Sequence, residues 1–90
     1  MFLLISHSLK NPDKDYSGFF SIIESFSVHI QIMNNVWIVK TDGDANHVSV
    51  QLQEKINKED TFLIIEVSPE KDIAGWLPSN VVTWFNTNFK

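Results

Sequence analysis

Val28-His29-Ile30-Gln31-Ile32-Met33-Asn34-Asn35-Val36-Trp37-Ile38-Val39-Lys40-Thr41 is the stretch from which the rest of the chain can be ordered. Val28, Ile30 and Ile32 alternate with His29, Gln31 and Met33, the two-residue period of a half-buried strand. Asn34-Asn35 interrupts it, and Asn tolerates the left-handed backbone of tight hairpin turns. Val36 to Thr41 then returns, so residues 28–41 predict a β-hairpin.

Upstream, Phe2 to Ile5 is a continuous apolar run, which suits a short strand buried on both faces, extending to about Leu9. Lys10-Asn11-Pro12-Asp13 ends it. Residues 11–15 read as a loop with a helix cap, because Asp13 or Asp15 can accept from the free amides at a helix start. Apolar residues at 16, 19, 20, 23 and 26 give the spacing of a one-sided helix over Tyr16 to Phe26. Gly18 weakens that helix by about 1 kcal/mol relative to Ala, a cost that a close backbone contact would justify.

Downstream, Asp42-Gly43-Asp44 is a turn with Asp44 as N-cap, and Ala45, Val48, Leu52 and Ile56 mark a second amphipathic helix. Lys55 and Lys58 fall near its C-terminus, where the helix dipole favours cations. Phe62 to Val67, apolar and rich in β-branched residues, reads as a central strand. Gly75-Trp76-Leu77-Pro78 leads into a last helix whose apolar side carries Val81, Val82, Trp84, Phe85 and Phe89. The βαββαβ order plus a C-terminal helix predicts an α+β, ferredoxin-like sandwich: an antiparallel sheet with two helices on one face. The other face must meet water, a partner or the last helix. His29, Gln31 and Met33, or the opposite side of the hairpin, would lie on it.

Ninety residues make one domain, residues 1–90, and a chain of 43% hydrophobic and 20% charged residues folds rather than remaining disordered. So small a core makes self-association an expectation. There is no Cys, which excludes disulfides, thiol catalysis and Cys-based metal sites. The net charge is −4, all seven basic residues are Lys, and Arg is absent, which weakens any reading of strong nucleic-acid binding. Phe2 to Ile5 is too short for a signal peptide or membrane span, so the expectation is a soluble cytoplasmic protein without a membrane partner.

Three segments carry a family resemblance: Tyr16-Ser17-Gly18, Val36-Trp37-Ile38-Val39-Lys40-Thr41 and Ala74-Gly75-Trp76-Leu77-Pro78. In their order and separation the chain resembles the small Cas2-like proteins of the SinR family. The resemblance spans nearly the whole chain and implies a ferredoxin-like fold and a homodimer with sheets facing across the interface. Many Cas2 proteins are metal-dependent nucleases with a key Asp at the end of the first strand. That position falls on Ser8 here, and a neutral hydroxyl is a poor ligand for Mg²⁺.

Few residues carry chemistry of their own. His7 and Ser8 are neighbours on a strand, so they point to opposite faces and do not make a base–nucleophile pair. His7, His29 and His47 show no metal-ligand spacing. Asp42-x-Asp44-x-Asn46 begins like a calcium loop but continues with His47 and Gln53 where Gly and Glu are required. Tyr16-Ser17-Gly18 at a helix N-terminus, with Ser8, Lys10 and Lys14 nearby, is a candidate anion or nucleotide site. Asp13 and Asp15 oppose it. His29, Gln31, Met33, Trp37 and Trp76 are candidate interface residues, with core packing the alternative for the Trp residues. Glu66 is the carboxylate expected to be partly buried. No catalytic residue, metal or cofactor is assigned. A non-catalytic homodimeric interaction module ranks first, a binder of a nucleotide or nucleic acid at the dimer interface second, and a metal-dependent endonuclease third.

Overall fold

The hairpin forms, and its turn differs from the expectation. In the computed structural model, which describes residues 1–71 and 73–89, strands β2 (Val28–Met33) and β3 (Val36–Lys40) pair antiparallel around Asn34-Asn35. Among the described residues none has a positive φ, so the Asn pair does not use the left-handed region. Turns of negative φ splay hairpin strands. The mismatch is taken up by a register shift between Gln31 and Met33, a bulge that turns Met33 to the face shared by Val36. The Gln31 side-chain amide donates to the Asn34 carbonyl at 2.7 Å, and the His7 amide donates to the Asn35 carbonyl at 2.9 Å.

Strand β1 (Phe2–Ser8) lies between β3 and the final strand, β4 (Thr61–Val67), and the sheet runs β2-β3-β1-β4 with every neighbour antiparallel. The apolar run of β1 is therefore a central strand, as its composition predicts. The similar run of β4 lies at an edge, which corrects the reading of Phe62 to Val67 as a central strand. Periodicity measures how apolar the two faces of a strand are, not how many neighbours it has.

Helices α1 (Ser17–Glu24) and α2 (Ala45–Gln53) cover one face of the sheet. Leu3 and Ile5 of β1 with Trp37 and Val39 of β3 pack there against Phe19, Ile23, Val48 and Leu52. The Asp44 carboxylate caps α2 by accepting from the His47 amide at 2.8 Å, as its position predicts. Gly18 does not have the close backbone contact expected of it: the nearest atoms to a Cβ there belong to the flexible Lys55 side chain, with Cδ at 3.1 Å. Helix α3 (Ser79–Asn88) crosses the opposite face, where Val81 and Phe89 bury Phe2, Ile32 and Ile38. The face left to water, a partner or the last helix is thus largely taken by the last helix. It is the side of the hairpin bearing Val28, Ile30 and Ile32; His29 and Gln31 pair with Val39 and Trp37 and share the α1/α2 side. Among the described residues no helix is long and apolar enough to cross a membrane.

Candidate functional site

The polar residues concentrate where the β1–α1 loop meets the end of the α2–β4 connection. Asp60, directly before β4, is 6% exposed. Its Oδ1 accepts from the Lys10 amide at 2.7 Å and the Tyr16 hydroxyl at 2.8 Å; its Oδ2 accepts from the Asn57 amide at 2.8 Å. The Tyr16 hydroxyl in turn accepts from the Asn11 amide at 3.2 Å. Lys14 donates to the Asn57 side chain at 3.0 Å. Burial pushes the Asp60 carboxyl up, but the hydrogen bonds from Lys10, Asn57 and Tyr16, helped by the Lys14 charge, outweigh it and hold the group below the usual carboxylate range. Burial raises the Tyr16 phenol, as do its hydrogen bond to Asp60 and the charges of Asp60 and Glu59, against the Asn11 hydrogen bond that lowers it. A carboxylate with its acceptor sites filled and a phenol that keeps its proton make a tether between two loops, not an acid–base pair.

Beside this tether lies a cavity of about 360 Å³. It is lined by the end of β1, by Tyr16 and Phe20, and by the exposed Lys10, Asn11, Asn34 and Asn35. His7 lines it and is 7% exposed; both its ring nitrogens are buried without a hydrogen-bond partner. The imidazole meets Phe19 and Phe20 edge-on, with ring centroids 5.4 and 5.5 Å away. Burial lowers its pKa, which favours the neutral ring. An unpartnered buried polar group costs roughly 1–3 kcal/mol. Trp37 Nε1, beside Phe20 and His29, is also buried without a partner.

The structure divides the candidate ligand residues. Ser8, Lys10 and Tyr16 line the cavity. Lys14 is turned to Asn57 and Gly18 to Lys55. The Ser17 amide, the first donor of α1, is taken by Oδ1 of Asp15 at 2.9 Å, and its hydrogen bonds hold the Asp15 carboxyl below its ordinary range. An anion at the Ser17 amide would have to displace a carboxylate, which counts against the phosphate reading of Tyr16-Ser17-Gly18.

The interface candidates also divide. Trp37 is buried in the α1/α2 core, which corrects its reading as an interface residue. His29 is half-buried beside it, its Nδ1 2.7 Å from the Phe26 carbonyl. Gln31 is exposed, Met33 is exposed on the α3 side, and Trp76 is 100% exposed. Glu66 is exposed, and the buried carboxylate is Asp60. The sequence signal for Asp60 was its place, three residues after Asn57 and directly before an apolar run, where an acid closes a turn.

The Cas2-type metal site implied by the resemblance does not fit these residues. Ser8 stands half-buried opposite Thr61, and among the described residues no group of three His, Cys, Asp or Glu is placed to hold a metal.

The second candidate surface is the free edge of β4. Leu63 and Ile65, opposite Ser6 and Leu4, share the α3 face of the sheet, but α3 does not reach them, and they are 57% and 48% exposed. Exposed Met33, Ile73 and Trp76 extend the apolar surface at the end where residues 73–77 cross a cavity of about 290 Å³ lined also by Leu4 and Val67. Compared with protein-family models, curated proteins and solved structures, the chain matches none.

Proposed function

We propose that the chain is a non-catalytic interaction module that works as a homodimer, joined edge to edge through β4. The observation that carries the reading is that β4 has the composition of an interior strand and the position of an edge strand. Edges of monomeric sheets are usually blunted by Lys, Pro or a bulge. Thr61-Phe62-Leu63-Ile64-Ile65-Glu66-Val67 has no Lys, Pro or bulge and a single charge, Glu66, whereas the other edge, β2, carries the bulge at Gln31–Met33.

The strand is also self-complementary. Paired antiparallel with its own copy about Ile64, Leu63 of each chain faces Ile65 of the other, Thr61 faces Val67, and Glu66 faces Phe62. No like charges meet. The two sheets become one, and β4 becomes interior. The sheet order, with α1 and α2 on one face, supports a ferredoxin-like βαββαβ sandwich with an added helix, the fold that the resemblance to Cas2-like SinR proteins implies; α3 over the second face argues against the sheets-facing dimer of that resemblance and for an edge-to-edge one. Ser8 in place of the metal carboxylate supports the absence of a catalytic role.

Sedimentation equilibrium tests the proposal. The wild-type chain is expected to be a dimer at micromolar concentration and Ile65→Lys a monomer with an unchanged far-UV spectrum. A wild-type monomer at all concentrations, or a dimer indifferent to both Ile65→Lys and Leu63→Lys, would overturn it.

A further inference from the structure

The cavity at the end of β1 has no part in the dimer edge, and its chemistry is specific. Its lining carries one formal charge, the Lys10 ammonium, and no carboxylate. Asp60 stands just behind Tyr16 and is fully engaged, and Glu59 adds its charge nearby, so the surroundings do not favour an anion. Lys10 does not favour a cation. Phe20 and Tyr16 in the lining are aromatic, and the exposed Asn34 and Asn35 also line the cavity, each with a carboxamide that carries donors and an acceptor. On the inner side His7, 7% exposed, has two ring nitrogens without a partner. A neutral imidazole offers one donor and one acceptor.

We propose that this cavity binds a neutral planar heteroaromatic ring of the nucleobase class, stacked on Phe20 and read at its edges by the Asn34 and Asn35 carboxamides and by His7. Carboxamides recognise such edges by paired donor–acceptor contacts, and aromatic side chains stack on the ring face. The cavity volume is within the range of small-molecule sites, about 300–1,000 Å³. Phe20 is half-buried, lines the cavity and stands 5.5 Å from the imidazole, ring centroid to ring centroid, so a ring stacked on it comes next to His7.

The test is an NMR titration of the wild-type protein with adenosine and, separately, uridine, following the His7 imidazole nitrogens and the Asn34 and Asn35 side-chain amides. Ribose and inorganic phosphate serve as controls. Saturable shifts at these groups are expected with at least one nucleoside and with neither control. Phe20→Ala is expected to weaken binding by tenfold or more. Asn34→Ala, at an exposed position of the hairpin turn and keeping the backbone carbonyl that accepts from Gln31, is expected to weaken it severalfold. Absence of shifts with both nucleosides at millimolar concentration would overturn the proposal. So would binding unchanged in both variants, or equal shifts with phosphate alone. A monomeric protein that still binds would leave this site standing while the β4 dimer fell.

Discussion

Donors from Lys10, Tyr16 and Asn57 converge on the Asp60 carboxylate, so one short acidic side chain joins residues almost fifty positions apart. Asp60→Asn keeps the shape but replaces one acceptor oxygen with a donor, which then faces an N–H or O–H. The variant is expected to lower the urea midpoint and to speed amide exchange at Lys10 and Asn57, more than Tyr16→Phe does. The Asp60 carboxyl is held below its unfolded value of about 3.9, so its contribution is complete above that pH and is lost as pH falls through the folded value. Asp60→Asn should lack this acid limb. His7 acts with the other polarity. Its folded pKa lies below the unfolded value of about 6.5, so above that pH both states hold a neutral ring and nothing is lost. Below it the unfolded chain takes up a proton that the folded chain resists, and stability declines until the folded value is reached. His7→Leu, which also removes the unpartnered nitrogens, is expected to be at least as stable as wild type at neutral pH and to lose this mildly acidic decline. A thermal-melting series across pH reads both effects. An unchanged pH profile in His7→Leu would mean that the ring is not shielded from water.

Among the elements, β1 and β4 make the sharpest comparison. Both are short, apolar on both faces and nearly equal in length, and they pair along their whole extent. Strand β1 has a neighbour on each side and two layers of helix against it. Strand β4 has one neighbour, and α3 leaves its Leu63 and Ile65 uncovered. The dimer proposal supplies the missing neighbour. It makes a second expectation at this scale: β4 amides that do not bond to β1 exchange slowly in the wild-type dimer and quickly in Ile65→Lys. The hairpin teaches a different point. Asn34-Asn35 marks the turn correctly, but the turn uses no positive φ, and β2 carries a bulge that places Met33 on the face of Val36.

At the scale of the whole molecule the sheet is the middle of three layers, and the two cores are unequal. The α1/α2 side is sealed by Phe19, Ile23, Val48 and Leu52, which are wholly buried. The α3 side depends on few residues: Phe89 sits 4.6 Å from Phe2 and 5.2 Å from Phe85, ring to ring. Phe89→Ala is expected to destabilise the chain by about 3–5 kcal/mol, the usual cost of emptying an aromatic core site. That is a large part of the total stability of a domain of this size, and the variant should bind a hydrophobic dye well before its far-UV signal is lost. A loss below about 1 kcal/mol in chemical denaturation would mean that α3 is an accessory to the sheet rather than a layer of the fold.

The sequence by itself determined the element order, the hairpin, the Asp44 cap and the absence of any thiol or Cys-metal chemistry. Each is local: it follows from the period of apolar residues, from one side chain beside its own backbone, or from composition. What only the tertiary structure decided is long-range. It put β4 at the edge, drew α3 over most of the second face, buried Asp60 instead of Glu66, placed Trp37 in the core, and brought His7, Tyr16 and Asn34 around one cavity. Apolar periodicity records that a face is to be buried but not by what, and a polar residue's burial is set by which distant donors the fold delivers to it.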